Sequence, residues 1–327
     1  MTRGRFVGLL VVGVVLHRWF SDEAAPPAPR TLQAAVMANG FGLIEGTGTD
    51  RHVLGFDDDG TLQFRHAVPL TAPDVRVVGS RVGPVVGWRN KAKLELAQLT
   101  GDGEVGAPEK WGKAVQLQCD GVATNEHQFG LGWADKDQQI WFVYGPTGKA
   151  RAFTPVRAAE LEATAKPSWC GIASAHKEIV LMWREGSRTF ATFCTSKECD
   201  MFMRLPLDKR HTLLGVGCTQ DACLLAVRKE GSNLLAWVRR GGNLVWTKPL
   251  ADAAPDTTFS IVGAGDRAIA VGYLTNTGAT VQRVIASGSM QRAWHDPSAH
   301  EVPSLAWARD RLFVAQREEQ SVIALPR

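Results

Sequence analysis

The chain has 327 residues, with 37 Lys and Arg against 33 Asp and Glu, a formal charge of +4. Arg3, Arg5, Arg18 and Arg30 lie in the first 30 residues against Asp22 and Glu23, which leaves 33 basic against 31 acidic residues, or +2, in the remainder. That balance lacks the clustered basic stripe that nucleic-acid phosphates require, while 33 Gly, and 11 Trp against 2 Tyr, point to tight turns and strands rather than long helices.

Residues 1–30 read as a targeting segment. Arg3 and Arg5 precede an uncharged apolar run, Phe6 to Leu16, and the polar, Pro-rich SDEAAPPAP follows. As a helix that run spans about 16 Å, roughly half of a hydrocarbon core of about 30 Å. The segment is therefore either a cleaved export signal or a short retained anchor, and any membrane contact runs through it alone. Lipid attachment at a mature N-terminal Cys is excluded, because no Cys precedes Cys119.

From residue 31 onward one pattern returns seven times. Its strongest strands end at Ile44, Trp88, Trp133, Trp183, Val227, Gly272 and Gln316, spaced by 44, 45, 50, 44, 45 and 44 residues. A fixed period of about 40 to 50 residues marks propeller blades of four strands each. About twenty residues after each of the first six anchors stands an aromatic: Phe64, Trp111, Phe153, Phe202, Trp246 and Trp294. Within the fifth repeat, LLGVGC, CLLAVRK, NLLAWVR and NLVWTKP read as strands A to D. The expected fold is an all-β, seven-bladed β-propeller over residues 31–327, with the aromatics packed between blades.

Within this frame, Asp57, Asp58 and Asp59 before Gly60 fit a tight turn of the first C–D hairpin; the calcium alternative needs a bidentate Glu that is not in place. The segment TPVRAAELEATAKP, Thr154 to Pro167, explains the 50-residue spacing and is expected to form one short helix between blades three and four. Six Cys in an exported chain are read as disulfides. Cys194 and Cys199 flank one four-residue turn and Cys218 and Cys223 another, while Cys119 and Cys170 remain as a residual pair. A zinc site is the alternative, but the spacing and His partners of common structural sites are missing. His295, Asp296, His300 and Glu301 cluster in WHDPSAHE, either as a solvated connector or as a set of metal-ligand types. The last repeat offers three strands, SLAWA, LFVAQ and SVIAL, with residues 24–30 as a candidate fourth.

The segments DDDGTLQFRHAV and RRGGNLVWTKPL, with TGKARAF and SGSMQRAW, resemble the turn-plus-aromatic repeats of quinoprotein-type (PQQ-like) propellers, a superfamily that includes exported outer-membrane assembly propellers. The resemblance implies the fold. Quinoprotein alcohol dehydrogenases would require adjacent cysteines, which this chain lacks, and the Gly-His and Trp-Asp pairs of WD40 repeats and the sialidase Asp-box are also missing. Neither a G-x-S-x-G elbow nor a phosphate-binding fingerprint occurs. No cofactor and no catalytic residue is therefore assigned.

Two function classes remain. The first is a monomeric, non-catalytic binding or scaffold propeller of the bacterial periplasm or cell envelope, taking a protein or polar ligand. The second is a metal-assisted hydrolase or lyase with its site at the channel mouth. Disulfides and Gly turns fall on the A–B and C–D side of the blades, and longer, charged connections fall on the B–C and D–A side, where binding sites are mounted. Candidate binding residues there are Arg89, Asp135, Asp137, Arg184, Glu185, Arg228, Arg317, His295 and His300. Their mixed sign suits a protein or polar ligand better than a nucleic acid or bare anion.

Overall fold

A blade of four short strands exposes two apolar faces, and the structure shows how each is covered. The computed structural model describes the chain from Gln33 to Leu325, leaving out residues 1–32, 38–39, 69, 71, 73–74, 79–84, 92, 100–103, 114–122, 125–127, 135–139, 147–153, 158–166, 176–177, 186–187, 196–198, 201–202, 265–266, 317–318 and 326–327. The targeting segment expected over residues 1–30 lies outside the described residues.

Every regular element described is a strand, in seven antiparallel sheets that follow the chain as simple meanders. Blade one holds β1 (Gln33–Met37), β2 (Gly40–Thr47), β3 (Asp50–Phe56) and β4 (Leu62–Ala67). Blade two holds β5 (Arg76–Val78), β6 (Val85–Asn90), β7 (Lys93–Gln98) and β8 (Glu109–Lys113). Blade three holds β9 (Ala123–Thr124), β10 (Gln128–Ala134), β11 (Ile140–Pro146) and β12 (Thr154–Arg157). Blade four holds β13 (Pro167–Ala175), β14 (Glu178–Glu185), β15 (Arg188–Cys194) and β16 (Met203–Leu205). Blade five holds β17 (His211–Cys218), β18 (Ala222–Lys229), β19 (Ser232–Arg239) and β20 (Leu244–Pro249). Blade six holds β21 (Ser260–Ala264), β22 (Ala268–Thr275), β23 (Gly278–Ile285) and β24 (Met290–Asp296). Blade seven holds β25 (Ser304–Ala308), β26 (Arg311–Ala315) and β27 (Gln320–Ala324), with no fourth strand among the described residues.

The first strands of neighbouring blades meet, β1 with β5, β9 with β13, β13 with β17, β17 with β21, β21 with β25 and β25 with β1, while β5 meets β10 between blades two and three, so the ring closes. The architecture is a β-propeller. Its cores lie between blades. One joins Phe41, Leu43 and Phe56 of blade one to Ala306 and Phe313 of blade seven; another joins Leu224, Trp237 and Leu250 to Ile269, Val271 and Tyr273 across blades five and six. Second strands such as β18 and β22 begin with six consecutive buried residues, covered on both faces, as a strand between two covered surfaces should be.

The period-phased aromatics fill these interfaces. Phe64, Trp246 and Trp294 lie against the cores between blades one and two, five and six, and six and seven. In each case the register slips by one residue just before the aromatic, leaving Gln63, Val245 or Ala293 unpaired; a bulge of this kind re-aims the next side chain. Trp246 also stacks on Trp237 with centroids 5.9 Å apart and donates its indole N–H to Ala286 O at 2.8 Å, in the next blade.

The helix expected over Thr154 to Pro167 is not formed at its ends. Thr154–Arg157 is the outer strand β12, paired from Trp141↔Arg157 to Tyr144↔Thr154, and Pro167 opens β13; residues 158–166 lie outside the described residues. The ladder offered by β11 outweighs local propensity, and an outermost strand tolerates Pro155 because one of its edges needs no N–H donor.

The C–D turns lock neighbouring blades through left-handed glycines. Gly60, Gly242 and Gly288 have φ of 88, 84 and 81°. A Cβ on Gly242 would stand 2.8 Å from Arg204 O on the outer strand of blade four, whereas one on Gly231, at φ 85°, would meet nothing within 4 Å. Gly231→Ala should therefore cost only the left-handed backbone term, about 1 kcal/mol. Gly242→Ala should cost roughly 1–3 kcal/mol more, because blade five must shift against blade four. Urea unfolding of the two variants checks this, and equal losses would show that the turn does not lock the blades.

Candidate functional site

In a meander blade the A–B and C–D turns share one end of the sheet, and the B–C turns share the other with the connections to the next blade. The first end is stapled. Cys194, ending β15, is bonded to Cys199 in the C–D turn of blade four. Cys218 and Cys223 are bonded across the A–B turn of blade five, where they are also Cα partners in the sheet. Each pair holds its Cα atoms 4.0 Å apart. The two expected disulfides are thus present, and no described cysteine is free; Cys119 and the side chain of Cys170 lie outside the described residues.

Arg240 ties the two stapled turns together. Its guanidinium reaches Glu178 Oε2 and Oε1 at 2.7 and 2.8 Å, Asp200 Oδ2 at 2.6 Å and Gln220 O at 3.4 Å, and lies 4.4 Å above the Phe193 ring. Glu178 foremost, with Asp200, raises the pKa of Arg240 above its ordinary value. Blades four and five are therefore joined at this end by a bidentate, half-buried ion pair.

At the opposite end the charged side chains hold connections in place. Arg184, in β14, donates to His211 O at 2.7 Å, at the start of β17, and to Asp208 O at 3.4 Å, in the link from blade four to blade five. Arg228, in β18, donates to Asn233 Oδ1 and Thr257 O, each at 3.2 Å, and lies 3.9 Å from Asp256. Asn233 donates onward to Ala254 O at 3.0 Å. Arg51, 4% exposed, donates to Leu70 O at 2.8 Å and to Ala72 O in the first link. Thus Arg184 and Arg228 stand on the expected face, bonded to backbone carbonyls that water would otherwise satisfy.

His295 and His300 flank Asp296, and after the Ser298 hydrogen bonds both contribute electrostatically to lowering its pKa. His295 is in β24 opposite Thr280, with Nδ1 buried and without a hydrogen-bond partner among the described residues, and His300 is exposed on the following link. Between them Asp296 accepts from Ser298 N at 2.8 Å and Ser298 Oγ at 2.7 Å, bonds that lower its pKa. Among the described residues no three His, Cys, Asp or Glu side chains converge as a metal site requires. The Asp57–Asp59 run is a turn, and all three carboxylates are used. Asp57 accepts from Asp59 N, Thr61 N and Gln63 Nε2, while Asp58 and Asp59 pair with Arg309 and Arg311 of blade seven. The side chains of Arg89 and Glu185, and Asp135, Asp137 and Arg317 entirely, lie outside the described residues.

A further cluster at this end was not singled out from the sequence. His211, the first residue of β17, places Nδ1 2.9 Å from Asp208 Oδ1, and Arg210 reaches Asp208 Oδ2 at 3.1 Å and Glu230 at 3.6 Å. Arg210 foremost, through both its side chain and its backbone N–H, holds the Asp208 carboxyl well below the usual carboxylate range. The only trace in the sequence is DKRH, a carboxylate three residues before a histidine in a link between repeats.

No protein-family model matches the chain, and no curated protein does. Solved structures do. Virginiamycin B lyase from Staphylococcus aureus is similar with a TM-score of 0.55 at 13% identity, over 90% of this chain and 94% of that one. The Pan2 WD40 domain of Neurospora crassa has a TM-score of 0.55 at 9% identity, over 92% and 90%. AztD from Citrobacter koseri has a TM-score of 0.52 at 11% identity, over 84% and 74%. These likenesses establish a shared β-propeller fold.

Because Arg228 bridges Asn233 and Thr257, Arg228→Met should cost about 1–3 kcal/mol in stability, the range for removing bonds to a charged donor. It should also speed amide exchange in the link around Thr257. Lys209→Met, exposed and without an ion pair among the described residues, should change neither. Thermal melts and peptide-resolved hydrogen exchange measure both effects, and an unchanged Thr257 link would show that Arg228 is not a latch.

Proposed function

We propose that this chain is an exported propeller of the bacterial cell envelope that binds a protein or polar ligand through its B–C turns and interblade links, without catalysis. One observation carries the reading: the two ends of the blades are built differently. One end is closed by two disulfides and the Arg240 cluster. The other presents exposed charges of both signs, Asp208, Arg210, Glu230 and Asp256, on links already tied to the scaffold. A rigid frame with charged connections on one side is how recognition surfaces are mounted. The two disulfides favour an oxidising compartment, and the apolar run after Arg3 and Arg5 supplies a route into it. In this reading Arg89, Asp135, Asp137, Arg184, Glu185, Arg228, Arg317, His295 and His300 belong to the binding end.

The virginiamycin B lyase neighbour keeps a metal-assisted lyase or hydrolase at the channel mouth as the competing reading. Metal analysis of the purified full chain, and assays of it against panels of hydrolase and lyase substrates, separate the two.

The test is a salt-dependent pull-down from envelope extract with three proteins: the full chain, the double variant Asp137→Lys with Arg317→Glu, and Asp221→Lys on the stapled end. Capture should fall with rising salt and be lost in the double variant only. If Asp221→Lys alone abolishes capture, the binding end is the other one. A folded reporter fused after Arg327 should appear outside the cytosol; a cytosolic reporter contradicts export.

A further inference from the structure

His211 opens β17, the strand of blade five that meets β13 and β21 of the neighbouring blades, and so lies at the end of the blade proposed above for binding. Its side chain is 15% exposed. Two groups compete for Nδ1: the Asp208 carboxylate at 2.9 Å and the Asp208 N–H at 3.2 Å. The carboxylate is charged, being bonded to Arg210 at 3.1 and 3.3 Å, and a charge-assisted bond at the shorter distance prevails. That assigns the proton to Nδ1 and leaves Nε2 as an acceptor. Nε2 has no partner among the described residues.

The neighbouring strand supplies the charge. His211 and Lys229 are Cα partners across β17 and β18, which puts their Cβ atoms about 4.5–5.5 Å apart on one face of the sheet. Lys229 is partly exposed and forms no ion pair among the described residues. The other cations here are engaged: Arg184 with His211 O, Arg228 with Asn233 and Thr257 O, and Arg210 with Asp208 and Glu230. The register thus puts Lys229, which has no ion pair among the described residues, on the same face of the sheet as the His211 ring, whose Nε2 is left to accept in this tautomer.

We infer that His211 Nε2 and Lys229 Nζ form a site for a small oxyanion that carries its own proton, hydrogen phosphate being the simplest. The ammonium attracts any anion of this size. The neutral Nε2 discriminates among them: it accepts the P–O–H hydrogen of phosphate, whereas sulfate at neutral pH has no hydrogen to give and meets lone pair with lone pair. A polar site that loses its partner rejects the wrong ligand strongly. The site deepens the binding role proposed above and rests on that end of the blades being the binding end.

The full chain, labelled with ¹⁵N in its histidines, is titrated near neutral pH with sodium phosphate and, separately, with sodium sulfate at matched ionic strength. His211 ring resonances should move saturably with phosphate, and sulfate should bind at least roughly tenfold more weakly. Lys229→Ala should weaken phosphate by about tenfold. Asp208→Asn should narrow the preference for phosphate over sulfate, because a released Nδ1 lets Nε2 carry the proton and donate. Near-UV circular dichroism checks that both variants are folded. Equal responses to the two anions in the unaltered chain, an undiminished affinity in Lys229→Ala, or no saturable shift would each overturn the site. The capture experiment above uses neither residue, so loss of this site leaves the binding end standing, and loss of capture leaves the phosphate contrast to be read independently.

Discussion

Each blade depends on its neighbours, because a meander of four short strands has two apolar faces and no helix among the described residues covers either. Burial between blades therefore carries the fold, and the side chains that achieve it recur at the repeat period. Phe64, Trp246 and Trp294 are placed by a one-residue slip in the outer strand, which turns a large ring off the solvent edge and into the seam. The next blade's C–D turn then closes over that seam with a left-handed glycine, as Gly288 does above Trp246 and Lys248, and Lys248 donates to Gly288 O at 2.6 Å. Aromatic, bulge and glycine form one device, and none of the three has a purpose without the other two.

The ring closes by the same means that join its interior blades. Ser260 accepts from Leu305 N at 3.2 Å between blades six and seven, and Ser304, at the equivalent position of β25, accepts from Ala34 N at 2.8 Å between blades seven and one. Phe41 stacks on Phe313 at 5.1 Å, and Gly60 packs on Val322. Two ion pairs, Asp58 with Arg309 and Asp59 with Arg311, add to this closure. All four side chains are 40% exposed or more, so their contribution is modest beside that of the buried rings.

The period was legible because interblade burial imposes it on the sequence: second strands, aromatics and C–D glycines must recur in phase. The two disulfides were legible for a similar reason, since five-residue separations across hairpin turns leave each cysteine one plausible partner. The helix expected at Thr154 to Pro167 misread a stretch whose first four residues pair with β11; local composition does not record a ladder formed with a strand already in place. What the sequence concealed is the bonding of the charged turns. Arg184 and Arg228 looked like free surface charges because each reaches a distant backbone carbonyl, His211 O 27 residues away and Thr257 O 29 residues away, and a carbonyl leaves no mark in a sequence. The Asp208 and His211 pair was hidden in the same way, its meaning given only by the turn that folds one residue back onto the other.

Those bonded arginines change how the charged end of the blades works. A link held by a guanidinium from its blade has already lost part of the freedom that a ligand would otherwise have to freeze out, and pre-ordered recognition loops bind with a smaller entropic penalty. Three links show the arrangement, through Arg51, Arg184 and Arg228, so it belongs to the architecture rather than to one site. The charges left over for recognition are then the ones these latches do not consume. Glu230 stands out from its turn with its carboxylate 3.6 Å from Arg210, and Lys229 lies beside it without a partner among the described residues. The division of labour follows from geometry: side chains that reach back along the blade toward a carbonyl build the surface, and their immediate neighbours, pointing away from it, are free to meet a ligand.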